Sequence, residues 1–225
     1  MINLSFSRIQ YAALAVVVVL LNGCSMLLPA KSPPPSLYSF DIAQAKPVSA
    51  TPGVLSNSAA PTLVLSIPSA AAGFDTQEIV YVRQEHKLEH FRDNRWVDTP
   101  ASMLSPLLAS ALERSGAFGA VVQTPTSAAG QYRLDVELVR LQHEFLSTPS
   151  RAHVTLRAHL LETANHKVIA WREFDAAVPA ASEDPYGGVV AANLAVRIAI
   201  EELAVFCAQA VAAAKNGKPV SSANP

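Results

Sequence analysis

Two thiols and six imidazoles, with a few pairs of carboxylates, are the groups in this 225-residue chain whose chemistry is worth testing first. Two cysteines in an exported protein ordinarily form one disulfide, and Cys24 and Cys207 do so only if Cys24 carries no other substituent. Cys207 follows the apolar run Leu203-Ala204-Val205-Phe206. It reads as a small buried hydrophobe, and the competing reading is a reactive or intermolecular thiol. His86 and His90 stand four apart, a helix-face spacing, but their segment reads as strand and turn. His153 and His159 share a strand face at a separation of about 20 Å, too far to hold one ion. A solvated sheet face accounts for them, and no metal ligand set is expected. Glu183-Asp184 reads as charge at a helix N-terminus, and Asp135 and Glu137 as solvent-side strand residues. Ser115 and Ser182 have no local arrangement of a triad. No phosphate-binding loop, dinucleotide fingerprint, nucleophile elbow or zinc-protease helix occurs. Catalytic residues are therefore expected to be absent and the protein is read as no enzyme. Trp96 and Trp171, each beside an arginine (Arg95, Arg172), are open to two readings. They are core or sheet-edge packing, or they are partner contacts of the Trp/Arg kind that dominates interfaces.

The first 23 residues explain the other thiol. A short polar start with Arg8 leads into the unbroken apolar run from Tyr11 to Leu21. At eleven residues the run is too short to span a bilayer comfortably, which takes about 20, but it suits a signal-peptide core. It ends in Leu21-Asn22-Gly23-Cys24-Ser25. That sequence resembles the lipobox of bacterial lipoproteins, in which small residues fit a signal peptidase and the cysteine thiol takes diacylglycerol; Asn22 departs from the usual small apolar choice. The resemblance implies cleavage between Gly23 and Cys24 and a covalent lipid on Cys24, with no other cofactor. Ser25, where aspartate commonly retains such proteins at the inner membrane, implies the periplasmic face of the outer membrane. Several acyl chains on one residue hold a protein stably to a bilayer.

The remainder reads as one α/β domain, a mixed β-sheet flanked by two main helices. Residues 24–61 are a lipidated N-terminus and Pro/Ser/Ala-rich tether, with Leu37-Tyr38-Ser39-Phe40 alternating well enough for an edge strand. Strands are expected at 62–67, 78–83, 88–91 and 95–97, the last two joined by a turn at Asp93-Asn94. Thr99 caps a helix that has Pro100 at its first position, and Leu104, Leu107, Leu108, Ala111 and Leu112 form its apolar stripe. Gly116 supplies the terminating left-handed residue. Pro106 either kinks that helix or starts a second one capped by Ser105. Strands follow near 117–123, 131–141, 151–160 and 168–174, and a long Ala-rich helix at 188–213 closes the domain, which spans 62–214. Residues 215–225 read as a disordered tail.

Sixteen basic against eighteen acidic residues remain once Arg8 and the rest of the leader are set aside, so nothing here recommends nucleic acid as a partner. The mean hydropathy of +0.24 owes part of its value to that leader. Several stretches together resemble the ABC-type transport auxiliary lipoproteins, the family of the PqiC (YmbA) lipoprotein. They are Leu37-Tyr38-Ser39-Phe40, Gly73-Phe74-Asp75-Thr76 with Ile79-Val80-Tyr81, Arg95-Trp96 through Pro100 to Ser115-Gly116-Ala117-Phe118, and Arg172-Glu173-Phe174 before the Ala-rich helix. The resemblance covers residues 37–213. It implies a lipid-anchored, non-enzymatic docking subunit that meets a mammalian-cell-entry (MCE) domain protein of an ABC-type intermembrane lipid transporter; a homo-oligomer stays open. The alternatives are another outer-membrane assembly lipoprotein (a lipopolysaccharide-assembly or TolB-like accessory) and a cell-envelope hydrolase.

Overall fold

The longest strands organise the chain. In the computed structural model, which describes residues 34–41 and 60–216, the strands in order are β1 (Ser36–Tyr38), β2 (Thr62–Leu65), β3 (Ser69–Ala70), β4 (Glu78–Gln84), β5 (Lys87–Trp96), β6 (Ala120–Gln123), β7 (Tyr132–Glu144), β8 (Arg151–Glu162) and β9 (Lys167–Pro179). Helix α1 (Pro100–Arg114) lies between β5 and β6, and α2 (Pro185–Lys215) follows β9. The described residues from Pro35 onward form one compact unit. The leader, Cys24, most of the tether and the tail beyond Asn216 lie outside the described residues; Lys215, read as the start of that tail, is the last residue of α2 because its helix continues past Ala213.

Both edges of β7 are used. β8 runs antiparallel along one, and β9 antiparallel along β8. Along the other edge β2, β3 and β4 pair in succession, all parallel, at Leu63↔Tyr132, Ser69↔Glu137 and Tyr81↔His143. Three short strands therefore act as one interrupted strand. β6 flanks β2, β5 flanks β4, and β1 adds to β5 in parallel. This is the expected mixed sheet with two helices.

The core is on one face. Tyr132, Leu134, Val136 and Leu138 of β7 point inward, and a bulge after Leu138 moves that role to Leu141 and His143. Val154, Leu156, Ala158 and Leu160 of β8 and Ala170, Phe174 and Ala176 of β9 complete the floor. Leu104, Leu108 and Leu112 of α1 and Val196, Ile200, Leu203 and Cys207 of α2 cover it. Alanines at 195, 199 and 210 are almost wholly buried, and these small side chains let α2 lie close to the sheet. Each large buried side chain contributes roughly 1.5–3 kcal/mol by leaving water.

The local signals held at most ends. Thr99 caps α1 through the Ser102 amide, and Gly116 has φ +67° just past its end. Asp184 caps α2, accepting from the Gly187 amide at 2.7 Å. Leu37 and Tyr38 pair with β5, and Phe40 is buried against Trp96 with ring centroids 5.1 Å apart. Pro106 neither ends nor restarts α1, which runs unbroken from Pro100 to Arg114. Pro106 is on the exposed side, where water can take the carbonyl it leaves unbonded, and Ser105 Oγ donates to Gln123 instead of capping. The Asp93-Asn94 turn is a correction. β5 passes straight through it because β1 pairs across Ser36↔Asn94 and Tyr38 Oη donates to Asn94 Oδ1 (3.2 Å). The hairpin turns at Glu85-His86, with His86 in the left-handed region at φ +66°.

Candidate functional site: the uncovered sheet face

Opposite the helices, β7, β8 and β9 show the other half of their alternation. That face carries Arg133, Asp135 and Glu137, then Arg140, Gln142 and Glu144 past the bulge, beside Arg151, His153, Thr155, Arg157 and His159 of β8 and Trp171, Glu173 and Asp175 of β9. No described element covers it.

The charges are bound to one another. His153 stands between two carboxylates, Nδ1 2.8 Å from Glu144 and Nε2 2.8 Å from Asp175. Arg151 donates to the second Glu144 oxygen at 3.0 Å and Gln142 to the first at 2.8 Å. Arg140 approaches the His153 ring at 3.1 Å, and Thr155 Oγ1 donates to Asp175. Arg157 bridges Glu137 (2.9 Å) on one neighbouring strand and Glu173 (2.5 Å) on the other. At the far end Arg133 donates to Asp135 and to Ser66 Oγ, beside a shallow cavity of about 330 Å³ that also meets His159. Glu144 is almost completely buried (side chain 5% exposed). Burial works to raise its carboxyl, but the hydrogen bonds from Gln142, His153 and Arg151 prevail and hold it below the usual carboxylate range. Asp175 follows the same balance, with Thr155, His153 and Arg140 outweighing burial.

The structure separates the two tryptophans. Trp96 is 2% exposed and belongs to the core, so the packing reading applies to it and it drops out as a contact. Trp171 is 42% exposed on the open face, stacked on His159 with centroids 6.3 Å apart. Arg95 is exposed on β5, remote from β9 in the strand order; Arg172 lies over the Phe174 ring at 5.4 Å. Arg172 and Trp171 are consecutive in β9 but turn to opposite faces of the sheet, and the pair Arg95–Trp96 is not brought to them. His153 and His159 do share this face, as read from the alternation.

One arrangement escaped sequence reasoning. Ser150 Oγ lies 2.8 Å from His143 Nε2, the distance of a nucleophile and its base, and Glu183 accepts from the Ser150 amide at 2.8 Å. Ser150 is fully buried, and Nδ1 of His143 has no hydrogen-bond partner and faces Gly188. Burial lowers the His143 pKa, with Glu183 and Asp184 opposing. The trio clasps the β7–β8 connection to the start of α2. No sequence signal marks it, because the bulge that turns His143 inward is invisible in the alternation. Cys207 is buried as expected, and burial pushes its thiol up to about 12. Among the described residues no three His, Cys, Asp or Glu side chains are grouped to hold a metal ion, and no helix is long and apolar enough to cross a membrane.

The model of the family described as the ABC-type transport auxiliary lipoprotein component matches residues 38–205, from the end of β1 through most of α2. The chain belongs to this family. Among solved structures, a Xanthomonas campestris protein (XCC0632) of the DUF330 family is 23% identical with a TM-score of 0.65, over 83% of this chain and 99% of that one. The hypothetical protein CT253 of Chlamydia trachomatis is 10% identical with a TM-score of 0.50, over 69% of this chain and 99% of its own. Both share the fold with this auxiliary lipoprotein. No functionally curated protein matches the chain.

Proposed function

We propose that this auxiliary lipoprotein is an outer-membrane, non-enzymatic docking subunit of an MCE-type ABC transport system that moves lipids between the two membranes. Its carrying observation is the family match over residues 38–205, which takes in nearly the whole folded unit. Cys24, acylated after cleavage behind Gly23, tethers the domain to the periplasmic face of the outer membrane, and the Ser/Pro/Ala-rich arm sets it off the bilayer. The polar, internally neutralised face of β7–β9 supports contact rather than turnover: its charged groups are engaged with one another, and the buried Ser150–His143 pair is closed to substrate.

The test has two parts. Mass spectrometry of the mature protein is expected to find acyl chains on Cys24 and none on a Cys24→Ser variant, with the wild type in the outer-membrane fraction. Cross-linking in cells, followed by retrieval of a tagged copy, is expected to bring down an MCE-domain protein. Recovery of a β-barrel assembly partner in its place would overturn the transport role.

A further inference from the structure

β1 runs parallel to β5, with Ser36 beside Asn94, so the chain enters the domain from the side on which β5 begins. That side is one end of the sheet. The β4–β5 turn at Glu85-His86 is there, and parallel pairing of β4 with β7 brings the β7–β8 connection to the same level, where the Phe145 amide donates to the Val82 carbonyl at 2.8 Å. The start of α2 is there too, with Gly188 against His143.

The arm before Ser36 is short. Cys24 stands twelve residues before it, a reach of about 40 Å at full extension. Leu37, Arg95 and Glu78 are level across three strands, and from Glu78 to Gln84 the sheet rises about 20 Å towards the hairpin. Half of the reach is left beyond that end. The far end of β7, at Tyr132, lies about 26 Å the other way. Pro34 and Pro35 keep the entering backbone extended, so turning back to Tyr132 would use nearly the whole arm.

The near end has the side chains of a membrane interface. Leu88, Leu146 and Tyr186 are 43%, 45% and 63% exposed. The same end holds half-buried Tyr81, Phe91 and Phe145 with centroids 4.5 to 6.5 Å apart, and Arg83 lies over Tyr81 and Phe145 at 5.1 and 5.5 Å. Its charges balance. Arg83 and Lys87 are matched by Glu85 and by Glu89, which is bonded to Lys87 at 3.1 Å, while Glu183 and Asp184 are bound to the Ser150 and Gly187 amides. With no excess of positive charge, any hold on lipid comes from apolar contact and not from attraction to anionic headgroups. Aromatic rings with a polar tip settle at the level of the headgroups.

We propose that this end of the domain is a second membrane contact: Leu88, Leu146 and Tyr186 enter the headgroup layer of the bilayer that receives the acyl chains of Cys24. The arm lifts the body of the domain and the hairpin end bridges the gap. β7 then stands upright on the membrane, with the uncovered sheet face turned sideways to partners. The proposal rests on the acylation of Cys24 for the presence of the bilayer.

The experiment places the mature chain, as Leu88→Cys, Leu146→Cys or Val168→Cys, through its acyl chains in phosphatidylcholine vesicles whose headgroups carry a nitroxide quencher. A fluorophore is attached to the introduced cysteine; Cys207 is buried, its thiol pushed up to about 12, and does not react. Val168 is 45% exposed at the far end, where Leu161 and Glu162 pair with the start of β9, so it matches Leu146 in exposure. Quenching at Leu88 and Leu146 is expected to exceed that at Val168 about threefold or more, since interfacial side chains sit within the headgroup layer. Adding phosphatidylglycerol is expected to change neither. Equal quenching at both ends, or stronger quenching at Val168, overturns the proposal. So does quenching that needs phosphatidylglycerol, or a Leu146 label shielded in detergent as protein concentration rises, which assigns the end to a second copy. Mass spectrometry of the same samples separates the two readings. Acylated Cys24 with an unquenched Leu146 label removes the contact alone, and a bare Cys24 removes the anchor and the contact with it.

Discussion

A Cβ placed on Gly188 would come to 2.3 Å from Nδ1 of His143. The first turn of α2 and the end of β7 approach each other through the absence of that one carbon. The ring cannot retreat, because its other nitrogen is bonded to buried Ser150. Alanine in a helix is ordinarily favoured over glycine by about 1 kcal/mol. Here the clash is expected to win, with Gly188→Ala destabilising by ~1–3 kcal/mol in urea unfolding. The double variant with His143→Ala is expected to be less impaired than the sum of its parts, and full additivity would break the account.

Acid should loosen the fold in two stages. Burial holds the His143 pKa below its ordinary 6.5, so the neutral ring stabilises the fold above that value and the contribution is lost as pH falls through the lower folded value. Glu144 and Asp175 lie below their ordinary 4.5 and 3.8, so their contribution is present above those values and goes at still lower pH. Denaturant unfolding from pH 8 to 3 is expected to show stability falling first below 6.5 and again below 4.5. A His143→Phe variant should flatten the first stage and keep the second. Loss of the first stage in Glu144→Gln instead would assign it to the wrong ring.

The two tryptophans should part company. Trp96→Ala opens the core beside Phe40 and is expected to cost about 3–5 kcal/mol. Trp171→Ala, on the open face, should change stability by under about 1 kcal/mol. Its effect is expected in cross-linking yield to a partner, which Trp96 variants that still fold should leave alone. Thermal melts and retrieval experiments on the same pair of proteins check both.

His86 offers a gain. A non-glycine residue with φ +66° pays a steric cost that glycine avoids. His86→Gly is expected to stabilise the β4–β5 hairpin by ~0.5–1 kcal/mol, read as a higher urea midpoint. A drop would mean that the imidazole makes a contact of more value than the relief.

Much of the α/β order was legible in residue types because its causes are local. The Thr99 cap, the leucine stripe of α1, the positive φ at Gly116 and the alternation of β7 and β8 each depend on neighbours within a few positions. The family was legible as well, since its match spans the same elements in the same order. The run Leu21-Asn22-Gly23-Cys24 that resembles a lipobox is likewise a purely local signal. Only the tertiary structure decided what each alternation faces. It carried β5 through Asp93-Asn94, because a strand 56 residues away in sequence holds Asn94 by Tyr38. It sank Trp96 and left Trp171 in water, although both have an arginine neighbour and a strand pattern, because β5 lies where Phe40 returns and β9 lies at the rim. It turned His143 inward with a one-residue bulge, which reverses every later face of the strand. Partners far apart in the chain decide these matters, and a periodicity of two cannot say which side of the sheet the helices will cover.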